Sequence, residues 1–259
     1  MRPQAPPEVL NETSDKPCIL VVDHASNHIP SDYAGLGLSD DVLSKHIAFD
    51  IGIAAVARQV ALQAGVATIM APCSRLLVDP NRWTEDLGCI PEISDGIRIE
   101  GNEALCTGSR AARLERFFWP YHERIGTILA RLTRQHPRIV FLGLHSCTRV
   151  LGDMHRTGDA GTFWNENETL SRIIVDRLTN RFGLKARGNY PYDGKDGSFT
   201  IDYHTWGQGH LACGLEILND RLQTPEQIAQ WSERLCDILH TAMAEVKVNT
   251  PDRLANPAL

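Results

Sequence analysis

Two histidines stand where buried strands are expected to end. His145 follows the apolar run 139–144, and His24 closely follows the apolar run 18–22. Because parallel strands present their carboxyl ends at one edge of a sheet, we expect the two imidazoles in one crevice. Imidazole nitrogens are good ligands for zinc, so the pair predicts a shared metal ion. Each histidine taken alone is also compatible with a purely structural role at a strand end.

A metal site of this kind needs a third ligand, and Asp50 is the prediction. It precedes a stretch with helical apolar spacing over residues 53–64. An aspartate in that place also commonly caps a helix N-terminus, so two roles remain open for it. The other polar residues that the sequence offers for this position are Asp23, Asn27, His28 and Glu216.

Glu216 lies inside the apolar stretch 214–218. A carboxylate is costly to bury there unless it is paired or used, and we interpret it as a general base that takes a proton from water. A buried ion pair, or an edge strand whose glutamate faces solvent, would explain the same pattern.

Three further polar residues lie in one segment between expected core strands. Asn81 and Arg82 are adjacent, and a guanidinium fork with a neighbouring amide suits a substrate carboxylate. Arg75 lies close enough in sequence to reach the same pocket, where it would stabilise an oxyanion. For each arginine alone, a solvated charge or surface ion pair is the alternative.

The segment 187–210 is rich in glycine, aspartate, tyrosine and histidine, which is typical of an active-site wall. Its candidate donors are Tyr190, Tyr192, Tyr203, His204 and His210. Ser146 and Cys147 are poor candidates for a nucleophile, because the chain has no G-x-S-x-G elbow and a buried thiol is usually inert.

The elements that must position these residues alternate between apolar runs and amphipathic stretches. This alternation predicts an α/β fold: a single three-layer α/β/α domain with a mixed, mostly parallel central sheet. Residues 17–259 would form the domain, and the proline-rich residues 1–16 are expected to be a flexible arm. Residues 84–109 show little periodicity and predict a long, functional or partly structured excursion.

Composition excludes several classes of partner. The net charge is −6 and no basic block occurs, so nucleic acid is not expected as a partner. No apolar run approaches the roughly 20 residues that span a bilayer, so no membrane is expected either. Seven cysteines without a C-x-x-C pair indicate reduced thiols and a cytoplasmic protein. The expected partner is a small molecule, and the oligomeric state is not predicted.

Several short motifs together resemble the N-formylglutamate amidohydrolase family, over roughly residues 18–245. The motifs are Asp23-His24-Ala25-Ser26-Asn27-His28-Ile29-Pro30, Phe49-Asp50-Ile51-Gly52, Ser74-Arg75-Leu76-Leu77-Val78-Asp79-Pro80-Asn81-Arg82, Tyr121-His122, Leu144-His145-Ser146 and Leu215-Glu216-Ile217. Their order is also similar to that of the zinc carboxypeptidases, which have His-x-x-Glu where this chain has Asn27 in the fourth position.

The resemblance implies His24 and His145 as zinc ligands, Asn81 and Arg82 on a substrate carboxylate, and Glu216 as the base. Tyr203 would match the carboxypeptidase tyrosine as a substrate-binding residue. The implied activity is zinc-dependent hydrolysis of an N-acyl, above all N-formyl, acidic amino acid, as in histidine degradation. A metal-dependent carboxypeptidase or amidase of other specificity, or a non-catalytic protein that binds acidic metabolites, is the alternative.

Overall fold

The computed structural model describes residues 6–248. Numbered in chain order, the strands are β1 Glu8–Leu10, β2 Cys18–Val22, β3 Ala67–Met70, β4 Ile93–Ser94, β5 Ile97–Arg98, β6 Val140–Cys147, β7 Val150–Leu151, β8 Met154–His155, β9 Ala160–Phe163, β10 Ala186–Gly188 and β11 Leu211–Leu218. The α-helices are α1 Asp40–Leu43, α2 Ile53–Ala64, α3 Thr107–Arg113, α4 Trp119–Gln135, α5 Thr169–Asp176, α6 Phe199–Thr205 and α7 Pro225–Val248.

Seven of the strands form one mixed sheet in the order β1-β3-β2-β6-β11-β9-β10. Neighbours are parallel except for the β1–β3 and β11–β9 pairs. Strands β2, β6 and β11 lie next to one another in the centre, so their carboxyl ends meet at one edge. The predicted mixed and mostly parallel sheet is confirmed.

Helices cover both faces of this sheet, because its central strands are apolar on both sides. Along β2, Leu20 and Val22 belong to a core shared with α2, α5 and α7. Ile19 and Val21 point to the opposite core, shared with α4 and α6. Successive side chains of a strand alternate between faces, so one buried strand supplies both layers. The predicted three-layer architecture is confirmed.

Local signals fix the ends of the helices that pack on the central strands. Thr224 and Gln227 form a reciprocal capping box at the start of α7, with Gln227 N donating to Thr224 Oγ1 over 3.3 Å and Thr224 N to Gln227 Oε1 over 3.1 Å. Gly65 ends α2 in the left-handed conformation, with φ +60°.

Apolar residues recur at helical spacing over residues 110–135 and predict one helix, which is divided in the structure. A π-helical segment, Leu114–Phe118, joins α3 to α4. Pro120 lies in the first turn of α4 and supplies no N–H to the helical turn before it. A wider turn upstream of a proline also relieves the clash between the proline ring and the preceding carbonyls.

Part of the predicted flexible arm is a strand. Residues 8–10 form β1, and Asn11 and Ser14 donate side-chain hydrogen bonds of 2.7 Å to Ala61 O and Gly65 O at the end of α2. The arm prediction therefore does not hold over this stretch. The sequence did not indicate the strand, because three residues are too few to show an alternating pattern. The described residues do not include residues 1–5 of the predicted arm. They also do not include residues 249–259 of the predicted domain.

The excursion over residues 84–109 is partly structured. It contains the β4–β5 hairpin and buries Cys89, Ile90 and Ile99 in a third apolar cluster with Leu76 and Phe118. This cluster holds the loops beside the carboxyl edge of the sheet. Over residues 6–248, no helix combines the length and the apolar character that crossing a bilayer requires.

Candidate active site

Three residues of the predicted site lie at the carboxyl edge of the central strands. His24 follows β2, His145 lies on β6, and Glu216 lies on β11. In the parallel β6–β11 ladder His145 is the register partner of Glu216, so the two side chains leave the sheet on the same face. Asp50 joins them from the loop before α2, where its N–H donates to His24 O over 2.9 Å.

Asp50 lies between the two histidines. Its Oδ1 is 3.5 Å from His24 Nδ1, and its Oδ2 is 3.0 Å from His145 Nδ1. One ligand atom from each of the three residues lies within 4.8 Å of the others, and all three side chains are buried. The residue that caps α2 is Gly52, with no side-chain hydrogen bond. Asp50 is therefore not the N-cap residue of α2, and its role as a metal ligand stays a prediction.

The donor set fits a metal ion such as zinc. His24 Nδ1 is buried and has no hydrogen-bond partner, which is costly unless a ligand satisfies it. Tetrahedral zinc, with bonds of about 2.0–2.1 Å, separates neighbouring donors by about 3.3 Å, close to the two distances at Asp50. Two imidazoles and one carboxylate with room for a further ligand are typical of catalytic zinc sites.

One further carboxylate lies near the far nitrogen of each histidine, and that of His24 is hydrogen-bonded to it. His24 Nε2 donates to Asp79 Oδ1 over 2.8 Å, since a carboxylate can only accept. His145 Nε2 lies 3.4 Å from Asp23 Oδ2. Carboxylates of this kind orient metal-binding imidazoles and fix which nitrogen is free for the metal. In both histidines the nitrogen turned towards Asp50 is therefore Nδ1.

Charge balance keeps Asp79 ionised. Burial alone would raise the pKa of its carboxyl, but the neighbouring His24 and Arg75 outweigh burial and hold the pKa well below its usual range. Arg75 Nη2 donates to Asp79 Oδ2 over 2.9 Å, and Arg75 Nη1 lies 3.6 Å from Asp50 Oδ1. Arg75 thus lines the cavity as expected, with part of its guanidinium held by these two carboxylates.

Glu216 has the surroundings of a base. Its side chain is buried, and Oε2 has no hydrogen-bond partner. Burial is the main reason that the pKa of Glu216 is raised, and the nearby charge of Asp50 adds to it, while His145 opposes it. A carboxylate with a raised pKa is a stronger proton acceptor near neutral pH. Neither a buried ion pair within 4.0 Å nor a solvent-facing edge position is seen for Glu216 in the described structure.

A cavity of about 160 Å³ opens onto these residues. Asn81 and Arg82 line it, as predicted, together with Arg156 and Tyr192. Asn81 Oδ1 accepts hydrogen bonds from Ser198 Oγ over 2.8 Å and from Thr200 N over 3.2 Å. Because its oxygen is engaged, the amide of Asn81 can offer its NH₂ group to a ligand.

Tyr203 is not brought to this cavity. Its ring stacks on Phe199 at 4.8 Å on the outer side of α6, and it is half exposed. The phenol from the same segment that lines the cavity is Tyr192. Tyr203 therefore does not lie where a substrate-binding residue was expected, because α6 turns it away from the sheet edge.

Other candidates of the sequence serve structure. Ser146 Oγ donates to Ile51 O over 2.8 Å, and Ser146 N donates to Asp50 Oδ2 over 3.1 Å. Asn27 Nδ2 donates to Leu43 O over 2.9 Å, away from the metal ligands. Sequence reasoning assigned no role to Asp79 or Arg156. A carboxylate between Val78 and Pro80 in an apolar segment could have indicated Asp79.

The chain was compared with known proteins. The family model described as N-formylglutamate amidohydrolase matches residues 16–222, which is most of the chain. The chain belongs to the N-formylglutamate amidohydrolase family. Membership in this family makes it a hydrolase of amide bonds. The predicted resemblance is confirmed.

Solved structures show the same fold as this chain. A gene product of Agrobacterium tumefaciens is 30% identical, with a TM-score of 0.87 over 93% of this chain and 96% of that chain. An N-formylglutamate amidohydrolase from Ralstonia eutropha JMP134 is 17% identical, with a TM-score of 0.73 over 95% of this chain and 100% of that chain, and shows the same fold. No curated protein sequence matches the chain.

Proposed function

We propose that this chain is a zinc-dependent amidohydrolase that removes the acyl group, above all formyl, from an N-acyl acidic amino acid such as N-formylglutamate. The observation that carries the proposal is the buried trio His24, Asp50 and His145, with an unpartnered Nδ1 on His24, together with Glu216, whose Oε2 has no hydrogen-bond partner. Ligands and base face one cavity that also contains cationic side chains.

The proposed reaction is hydrolysis. Zinc, held by His24, Asp50 and His145, would supply Lewis acidity to the acyl carbonyl and lower the pKa of water. Glu216 accepts a proton as the water oxygen bonds to the acyl carbon, and it returns that proton to the amide nitrogen as the C–N bond breaks. The products are a carboxylic acid and a free amino acid, which are formate and glutamate for N-formylglutamate.

Positioning of the substrate falls to the cations at the cavity. We assign one carboxylate of the substrate to Arg82 and the free NH₂ group of Asn81, because a guanidinium and an amide donate to both oxygens. The oxyanion role of Arg75 stays a prediction, and its contacts with Asp50 and Asp79 show that it also neutralises these carboxylates.

The cellular compartment and the metabolic role of the enzyme are also part of the proposal. All seven cysteines are free, and five of them are buried. Free thiols are compatible with the reducing cytoplasm, where we place the protein. A contribution to histidine degradation stays a prediction that follows from the family.

The test is a formate-release assay on N-formylglutamate, with elemental analysis of the same preparation. We expect turnover with about one zinc per chain. Glu216→Gln should lower kcat by 10²-fold or more while zinc is retained, because only the proton acceptor is removed. Glu123→Gln, on the exposed face of α4, is the matched control and should leave kcat unchanged.

Two results would contradict the proposal. Full activity of a metal-free preparation would show that zinc is not needed. Full activity of Glu216→Gln would show that Glu216 is not the base. Cleavage of peptides without cleavage of N-formylglutamate would favour the carboxypeptidase alternative. Binding of acidic metabolites without any turnover would favour the non-catalytic alternative.

A further inference from the structure

We propose that Arg156 and Tyr192 form a second carboxylate subsite, which binds the side-chain carboxylate of an N-acyl dicarboxylic amino acid. This inference rests on the proposed function, since it names the part of that substrate that the enzyme selects. It assigns a binding role to an arginine that lies in the short connection between β8 and β9.

Arg156 is a buried cation whose hydrogen bonds are incomplete. Its residue exposure is 3%, Nη1 donates to Thr148 O over 3.1 Å, and Nη2 donates to Tyr192 Oη over 2.7 Å. Nε has no hydrogen-bond partner. Within residues 6–248, no carboxylate oxygen lies within 4.0 Å of its guanidinium nitrogens. The side chain lines the same cavity as the metal ligands.

Arg113 shows what a structural buried arginine looks like in this fold. It also lacks a carboxylate, but its nitrogens donate to Leu77 O, Gly101 O and Asn102 Oδ1. It does not line the cavity. Both Nη atoms of Arg113 thus donate to protein oxygens, whereas Arg156, which lines the cavity, has a buried Nε without an acceptor.

An unpaired buried charge is costly, because desolvation is not offset by an opposite charge. Asp193 and Asp196 also line the cavity, yet neither is within 4.0 Å of Arg156. An anionic group of a ligand would provide the missing charge and accept from Nε. A carboxylate suits this position because it can accept from two guanidinium nitrogens at once.

The guanidinium is held ready for such a ligand. Arg156 N donates to Arg149 O over 2.8 Å, and Arg149 Nη1 donates back to Arg156 O over 3.1 Å. Arg149 is itself fixed by two hydrogen bonds to Asp220. The ring of Tyr192 lies 4.9 Å from the centre of the guanidinium. Fixing a binding group before the ligand arrives reduces the entropy lost on binding.

Two cationic anchors then face one small cavity. Arg82 comes from the segment after β3, and Arg156 comes from the segment after β8. A substrate whose reacting amide lies at the metal ligands can place its α-carboxylate on one anchor and its side-chain carboxylate on the other. The structure thus points to dicarboxylic amino acids in preference to neutral ones.

The experiment compares kcat/KM for N-formylglutamate and N-formylglutamine, which differ only in the charge and one donor of the side-chain end. We expect the wild type to prefer N-formylglutamate. Arg156→Gln should lower kcat/KM for N-formylglutamate by about 10- to 100-fold and change that for N-formylglutamine by less than about threefold. Equal losses for both substrates would overturn the subsite, although the proposed function would stand.

Controls separate binding from folding. Arg187→Gln removes an exposed arginine that also lies over a tyrosine ring, that of Tyr190 at 4.0 Å, and should leave the preference unchanged. If Arg156→Gln does not fold, Tyr192→Phe removes only the hydroxyl and should lower the preference for N-formylglutamate. An unchanged preference in Tyr192→Phe would then count against the subsite.

Binding to the wild-type protein tests the subsite without turnover. Glutarate carries two carboxylates and butyrate carries one, and we expect glutarate to bind at least tenfold more tightly in calorimetry of the zinc-loaded protein. If no N-formyl amino acid is hydrolysed but glutarate is still preferred, the proposed function fails and the subsite stands. Equal affinity for the two acids would overturn it.

Discussion

At the scale of single residues, the site also contains carboxylates that lie behind the proposed metal ligands. Asp79 accepts from His24 Nε2 and from Asn81 N, and it is also bound by Arg75. It therefore connects the metal ligand, the predicted oxyanion group and the predicted carboxylate anchor. Loss of its negative charge would alter all three.

Asp79→Asn should lower zinc affinity by about 10- to 100-fold, because the amide can still meet Arg75 or His24 but cannot accept fully from both. Competition of the protein with a chromogenic chelator measures this affinity. Asp41→Asn, on the exposed surface of α1, is the control and should bind zinc like the wild type. Undiminished affinity in Asp79→Asn would show that the carboxylate does not orient His24.

Sequence patterns predicted some residues of the site and not others. The convergence of His24 and His145 was predictable, because parallel strands share a carboxyl edge. Tyr203 and Tyr192 could not be told apart, since orientation within a loop has no period. The sequence also gave no signal for Arg156. Its proposed role depends on the lack of a nearby carboxylate, which can be seen only in the folded structure.

At the scale of elements, the helical layer behind the site contains a pair of neutral histidines. His122 on α4 donates from Nε2 to Pro80 O over 2.9 Å, which leaves its Nδ1 as an acceptor, 3.1 Å from His204 Nε2 on α6. Burial lowers the pKa of His122 to about 4, and burial with the nearby His122 lowers the pKa of His204 to about 3. Both helices thus meet through a contact that requires uncharged rings.

Acid should weaken this contact between α4 and α6. The unfolded chain binds a proton at His204 below pH about 6.5, and the folded chain only near pH 3, so stability falls as the pH falls through this window. At pH 4 the loss at His204 is about 3 kcal/mol. Urea unfolding at pH 7 and pH 4.5 should show a smaller loss for His204→Gln than for the wild type.

The control for this prediction is His240→Gln, on the exposed side of α7. Between pH 7 and pH 4.5 it should lose as much free energy of unfolding as the wild type. An equal loss in His204→Gln and the wild type would mean that His204 is not kept neutral by its surroundings.

Element boundaries followed from local chemistry, whereas strand order did not. Gly65 marks the end of α2, and Thr224, Pro225 and Gln227 mark the start of α7. The order of the sheet, with β9 antiparallel to β11, depends on which surfaces pack together. No local pattern along the chain carries that information.

At the scale of the whole molecule, the proposed binding of zinc would be linked to folding. The three ligands come from the end of β2, from the loop before α2 and from β6, so they meet only in the folded chain. A ligand that binds only the folded state stabilises it by mass action. The free energy of unfolding is therefore expected to depend on zinc.

Removal of zinc by EDTA and dialysis should lower the thermal midpoint. Zinc at a hundredfold excess over its Kd adds about 2.7 kcal/mol, which corresponds to roughly 5–10 °C for a chain of this size. Differential scanning calorimetry with and without added zinc measures the shift. Magnesium, which prefers six oxygen ligands, is the control and should not restore the midpoint. A midpoint insensitive to both EDTA and zinc would contradict the metal site.

Strand β1 has a consequence for anyone who shortens the chain. By pairing with β3, its three residues cover backbone groups that would otherwise form an open border of the sheet. A recombinant form that starts after Leu10 would uncover β3, whose residues are all buried in the intact fold. Such a truncated form is expected to self-associate edge to edge and precipitate, even with every residue of the cavity in place.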